Sequence, residues 1–390
     1  MAAVVTVFLI SMTNQLLSAV LGIYFTDINH SVLGAGIHLS IFAVGTLAGK
    51  LFLLFHRPVA SKMLVRTGMG ITVFACVGYL VGGMYAPLCS EAVWVSLCRM
   101  IQGIGFSLAG SASPTLMTVG AKGQLSGRVS SYGMITTFAA LTGNPLALQM
   151  YACMTKKKAF FLICLLVFIC ALAAAIWCPK TEEMVRSYQG FSVKGAGSKE
   201  KRLLPLVSGL FLLFLISQIL TSIYSIVIPI YANQAGKLEL ASVFLMVVTL
   251  SSLLIRIFIP ALLRRMGFRK FVITGCFLYA AGIGCCLVLM VGYTGIIMIL
   301  GGVLSGVASG IFMSVFHIEM LSAVQEDVYA KVNIIYLLAI DFSFIISGAF
   351  WSFTVNRSGI PMTFLVAILM VAFLGLCCMV KPKSFCRSAE

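Results

Sequence analysis

Ala92–Val119 reads AVWVSLCRMIQGIGFSLAGSASPTLMTV, and within it Arg99-Met100-Ile101-Gln102-Gly103-Ile104-Gly105 decides how the chain is understood. The run is long enough to cross a bilayer and carries one charge, Arg99. An arginine near the bilayer centre costs about 2.5–3.5 kcal/mol by insertion scales. A chain that keeps such a charge gives it a partner or a water-filled cavity. The stretch therefore implies a membrane-spanning protein, a polar interior, and an Arg99 that faces it.

Working outward, the whole chain has the same character. Of its 390 residues 61% are hydrophobic and 10% charged, whereas soluble domains carry about 25% charged residues. A spanning helix needs about 20 apolar residues. Twelve runs qualify: 2–25, 32–56, 70–87, 92–119, 129–150, 159–178, 203–231, 239–262, 271–291, 295–318, 332–352 and 360–380. They are far longer than barrel strands of about 9–11 residues. The first run lacks a basic leader and a small-residue cleavage site, so it is expected to be a retained helix.

The net charge of +16 is distributed by side rather than clustered for nucleic acid. With the N-terminus inside, nineteen of the 27 Lys and Arg fall in inner loops. Five fall outside (Lys156, Lys157, Lys158, Lys237, Arg357), and Lys50, Arg99 and Arg256 lie within spans. This follows the positive-inside rule and places both termini in the cytoplasm. Lys156–Lys158 is a local exception. The 13 cysteines form no Cys-x-x-Cys pair and are expected to pack as small apolar residues.

Polar, mixed-charge residues from Pro179 to Arg202 divide the chain into an N-terminal six-helix bundle (1–178), a cytoplasmic linker (179–202) and a C-terminal six-helix bundle (203–390). The halves echo each other. At an offset of 203, Gln15-Leu16-Leu17-Ser18 meets Gln218-Ile219-Leu220-Thr221, and Gln102-Gly103 meets Ser305-Gly306. At 199, Arg57, Arg66 and Gly68 meet Arg256, Arg265 and Gly267. A six-helix repeat in parallel orientation is a transporter signature.

At these residues the chain resembles the major facilitator superfamily, most closely its 12-helix proton-coupled drug and metabolite exporters. Arg99-x-x-Gln102-Gly103-x-Gly105 is similar to the exporters' motif B. The segment from Arg57-Pro58 to Gly68 takes the place of motif A, Gly-x-Leu-Ala-Asp-Arg-x-Gly-Arg-Arg. Arg66 and Gly68 fit, but Val65 replaces the acid of the motif's charge-relay gate. Gly143-Asn144-Pro145 looks like a fragment of the exporters' motif C. The resemblance implies an all-α membrane fold of two pseudo-symmetric bundles and a gating role for Arg57, Arg66, Gly68, Arg256, Arg265 and Gly267.

Two residues are candidates for proton coupling. The resemblance implies that role, or charge compensation in the cavity, for Arg99; a structural ion pair is the alternative. Asp341 lies midway along the eleventh run, where burial favours protonation of a carboxylate near neutral pH; otherwise it is a helix-to-helix hydrogen-bonding group. Lys50 either faces the cavity and attracts an anion or snorkels to the interface. Asn14, Gln15 and Ser18 share a face of the first run, as Gln218 and Thr221 do on the seventh. The family lines its cavity with these two helices. Gln102, Asn144 and the aromatic Tyr24, Phe106 and Tyr224 complete the candidate substrate cavity, the aromatics as stacking surfaces. Asp27, His30, His317 and Glu319 are expected at solvated rims. Gly302, Gly306 and Gly310 form a small-residue ladder expected to pack.

Gly45-x-x-x-Gly49-Lys50 is one residue short of a phosphate loop, so no ATP drive is expected. Neither a catalytic triad nor a metal cage is seen, and neither enzyme activity nor a cofactor is expected. The reading is a secondary transporter that exports small amphipathic molecules against protons by alternating access. It is expected to work as a monomer in a bacterial cytoplasmic membrane, its partners being substrate, protons and lipid. The alternative is proton-coupled uptake of a sugar or organic anion. A receptor or scaffold would need a docking domain, and the longest soluble segment is the 179–202 linker.

Overall fold

The computed structural model describes residues 1–29, 33–55, 60–85, 91–119, 124–179, 200–234, 238–291, 295–325 and 328–380. Among them the regular structure is helical, with no strand. The helices are α1 (Ala2–Asn29), α2 (Leu33–Phe55), α3 (Ser61–Tyr85), α4 (Glu91–Thr118), α5 (Leu125–Cys153), α6 (Lys156–Trp177), α7 (Glu200–Thr221), α8 (Ile223–Gln234), α9 (Leu238–Val291), α10 (Gly295–Ser322) and α11 (Tyr329–Val380). In a bilayer every backbone polar group must be satisfied within its own segment, and a helix does this.

Two helices are too long for one crossing, and each breaks at a glycine. Gly267 (φ 72°, ψ 164°) interrupts α9 and Gly359 (φ 79°, ψ 169°) interrupts α11. Positive φ there disfavours any side chain with a Cβ. Eight apolar stretches among the described residues are long enough to cross a membrane, and Ala2–Ser18 and Ser40–Leu54 are shorter ones. The largest departure from the sequence reading is α3, which begins at Ser61 rather than 70. Its polar first turns hold because Ser61, Leu64, Val65, Gly68, Met69 and Thr72 make one buried stripe at helical spacing.

The chain forms two compact units. The first contains α1–α4, α5 from Ile135, α6, and α11 as far as Asp341. Its core joins Leu16, Leu17 and Val20 of α1 to Cys76 and Tyr79 of α3, Cys98 of α4, and Phe160 and Ile163 of α6. The second contains the first turns of α5 to Met134, α7–α10, and α11 from Phe342. There Tyr279 and Trp351 donate to the carbonyls of Leu220 and Ile219, fastening α9 and α11 to the end of α7. Of the linker expected at 179–202, residues 180–199 lie outside the described residues, and Glu200–Arg202 form the first turn of α7. The outward surface is apolar: Phe74, Phe277, Phe353 and Leu369 are each about 70% exposed. On a spanning protein these side chains meet lipid.

Glycines set the helix spacing. In the first unit a Cβ at Gly103 would lie 2.6 Å from the Phe42 carbonyl oxygen of α2, and one at Gly105 would lie 2.7 Å from the Gly68 carbonyl oxygen of α3. The two glycines after Gln102 thus let α4 touch a different neighbour on each side. In the second unit Gly306 and Gly310 of α10 pack on the backbone of α9 at Val248 and Ser252. An offset of 203 carries Gly49 to Ser252 and Ser107 to Gly310, so one small-residue contact recurs with its partners exchanged. The offset of 199 fares differently: Gly68 is buried inside a helix, whereas Gly267 ends one. Gly45 and Gly49 also belong to helix packing, against Met100 and Ser107 of α4.

Gly103→Val is expected to cost at least about 1–3 kcal/mol, because backbone cannot yield as a side chain does. Gly110→Ala, whose Cβ would stand 3.5 Å from the Phe106 ring, is the tolerated control. Thermal unfolding in detergent separates the two; equal melting temperatures would sink the packing argument.

Candidate functional site

Arg99 lies wholly buried on α4. One guanidinium nitrogen donates to Gln102 Oε1 at 2.7 Å and another to Ser18 Oγ at 3.0 Å. The guanidinium carbon Cζ lies 4.1 Å from the centre of the Phe42 ring. Gln102 sits one turn on, so the spacing brings its amide to the guanidinium. Its Oε1 also accepts from the Tyr79 hydroxyl at 2.9 Å. Ser18 in turn donates to Asn14 Oδ1 at 3.2 Å. A polar chain therefore runs Asn14–Ser18–Arg99–Gln102–Tyr79 through an apolar unit. No carboxylate pairs with Arg99 among the described residues. Arg99 Nε and Gln102 Nε2 are buried without a hydrogen-bond partner.

The second feature joins α2 to α11. Lys50 Nζ lies 2.6 Å from Asp341 Oδ2, with side chains 5% and 9% exposed. The ammonium also donates to the Leu337 carbonyl at 3.3 Å. Lys50 therefore does not snorkel to an interface. Two turns before Asp341, Asn333 donates to Thr115 and Thr118 of α4, both at 3.1 Å. Asn333, Leu337 and Asp341 follow one another at i, i+4 and i+8, so one stripe of α11 carries every one of these contacts. Breaking one side of a buried ion pair costs about 3–5 kcal/mol. Arg99 and Asp341, both candidates for proton coupling, have separate sets of partners.

The remaining candidates sort by unit. In the first, Gln15 packs on Gly143 of α5, and the next residue, Asn144, leaves a buried Oδ1 without a partner. Phe106 rests against Phe42, the ring that covers Arg99 (5.7 Å between centroids). In the second, Tyr224 is buried among Phe244 and Tyr279, with centroids 5.4 and 5.2 Å away. Thr221 bonds back to the Gln218 carbonyl within its own helix, while Gln218 Nε2 is buried without a partner. The side chains of Tyr24 and Asp27, together with His30, lie outside the described residues.

Of the gating residues, Arg57 lies outside the described residues. Arg66 is exposed and reaches the Ala175 carbonyl at 3.4 Å. Val65, in the acid's place, is fully buried. Arg265 is exposed, but Arg256 is buried, its guanidinium against Gly133 of α5 and 3.3 Å from Met313 sulfur. His317, expected at a solvated rim, is 1% exposed and meets the Tyr132 ring edge-on, because the end of α10 packs inward. Sequence reading missed Tyr79, Phe42, Thr115, Thr118 and Asn333. Asn333 carried a signal, as a polar residue in an apolar run in register with Asp341. An aromatic among many aromatics carries none.

No curated protein matches the chain significantly, but solved structures share its fold. A bacterial homologue of the iron transporter ferroportin, in an outward-facing state, aligns with a TM-score of 0.74 at 14% identity, covering 97% of this chain and 98% of that one. The proton:xylose symporter XylE aligns at 0.73 and 13% identity over 96% and 93%. The human organic anion transporter MFSD10 aligns at 0.72 and 13% identity over 97% and 98%. The family model for the Major Facilitator Superfamily matches residues 3–282, well over half of the length. With that match and an all-helical fold lined with apolar spans, the chain belongs to the Major Facilitator Superfamily and is a multi-pass membrane transporter, not an enzyme.

Proposed function

We propose that the protein is a proton-coupled antiporter that exports small amphipathic organic compounds or metabolites by alternating access. The observation that carries this is the buried Lys50–Asp341 pair. A proton on Asp341 would leave Lys50 as a buried ammonium without its counter-charge, a costly state that is relieved by moving α11 away from α2, by rewetting the site or by release of the lysine's own proton. Proton binding is thereby tied to a conformational step. Arg99 is the second coupling residue, holding a fixed positive charge within the chain from Asn14 to Tyr79.

Twelve spans follow if α9 and α11 each count twice at their glycines and α7 with α8 counts once. Both termini are then cytoplasmic, with bundles 1–178 and 203–390 joined by the 179–202 linker. Asn14, Gln15, Ser18, Tyr24, Lys50, Gln102, Phe106, Asn144, Gln218, Thr221 and Tyr224 are proposed for substrate. Arg57, Arg66, Gly68, Arg256, Arg265 and Gly267 are proposed for gating. The working form is a monomer in a bacterial cytoplasmic membrane.

The test uses inverted vesicles, acid inside, challenged with lipophilic cations, neutral drugs, sugars and organic anions. Proton release on adding one class, lost in Asp341→Asn, is the expected result. Accumulation of a labelled solute by energised cells, without proton release on export, would favour a second reading: uptake of a sugar or organic anion with protons. No carboxylate stands beside Arg99 among the described residues, which favours an anion there, and sugar symporters and an organic anion transporter share the fold.

A further inference from the structure

Where α5 begins and the first part of α9 loses its apolar character, a cavity of about 510 Å³ opens within the second unit. Its walls bring together two arginines from separate elements, Arg128 and Arg264, with Gln124, Ser126 and Ser131. Among the described residues no carboxylate lines it. Both arginines are exposed, so they reach the cavity without burying their charge. The Nε of Arg264 donates to the Pro260 carbonyl one turn back at 3.2 Å, which fixes the guanidinium at the wall. Gly127 has open space where a Cβ would stand. Two guanidiniums and two hydroxyls around one opening match a phosphate's several acceptor oxygens, and arginine favours that geometry.

The neighbouring surface says which phosphate. Leu254, Ile257, Ala261 and Arg264 fall on one face of α9 at helical spacing, and Leu254 and Ile257 are 49% and 55% exposed. An exposed apolar stripe ending in an arginine at a cationic cavity fits one molecule with acyl chains and a phosphate. A lone snorkelling arginine would need neither the second arginine nor the cavity. We propose that Arg128 and Arg264 form a binding site for the headgroup phosphate of an anionic phospholipid, seated between the start of α5 and the middle of α9.

Binding of short-chain phosphatidylglycerol, short-chain phosphatidylcholine and inorganic phosphate to the purified full-length protein tests this by native mass spectrometry. Phosphatidylglycerol is expected to bind more tightly than phosphatidylcholine. Arg128→Gln and Arg264→Gln should each weaken it by about tenfold, the worth of one charge-assisted hydrogen bond. Arg357→Gln, at an exposed arginine of α11 that does not line the cavity, should leave it unchanged. Unchanged affinity in both cavity variants overturns the site. Arginine-dependent binding of inorganic phosphate without lipid preference overturns the lipid assignment. If a variant fails to fold, competition in the wild type decides: phosphatidylcholine displacing phosphatidylglycerol at equal concentration overturns the proposal.

Discussion

Asp341→Asn is expected to abolish proton-coupled transport and lower the unfolding free energy by about 3–5 kcal/mol, because it strands a buried ammonium. The amide can still accept one hydrogen bond from Lys50 but brings no charge. Two measurements separate the effects. Thermal unfolding in detergent should show the drop, and proton release from acid-inside vesicles should fall to that of empty vesicles. Lys50→Met with Asp341→Leu removes both charges at similar volume. That double variant should recover most of the lost stability, since well-packed apolar replacements of buried pairs are often neutral or stabilising. It should not recover transport. Undiminished coupling in Asp341→Asn would remove this carboxylate from the mechanism.

Arg99→Met should also lose transport but with the opposite effect on stability: melting temperature unchanged or raised. Arg99 sits among neutral groups, with no carboxylate among the described residues to repay its desolvation. Its removal leaves Gln102 Oε1 still bonded to the Tyr79 hydroxyl, so that buried acceptor is not orphaned. The apolar replacement also keeps contact with the Phe42 ring. Arg99→Lys keeps the charge but loses the planar fork that reaches Gln102 and Ser18 together, and it too is expected to lose transport. A melting temperature that falls as far as in Asp341→Asn, with transport intact, would make Arg99 a structural residue.

These opposite signatures rest on information that the chain's order does not hold. Lys50 and Asp341 stand 291 residues apart, and nothing in either neighbourhood names the other. Read alone, Lys50 sits close enough to the end of its run for snorkelling to fit equally well. The ion pair is decided by the docking of α11 to Asp341 on α2 and α4. Arg99 and Gln102 were legible together because a helical turn joins them, whereas Ser18 and Phe42 come from two other helices.

Composition and run length alone determine that the chain lives in a bilayer as helices, since only internally bonded segments survive there. The Arg99–Gly105 stretch further determines that its interior holds a charge. Whether a glycine spaces two helices, as Gly103 does, or ends one, as Gly267 does, was left to the tertiary structure. So was the partner of each buried cation. Both depend on which surfaces meet across helices distant in the chain, and apolar runs of similar composition do not specify their neighbours.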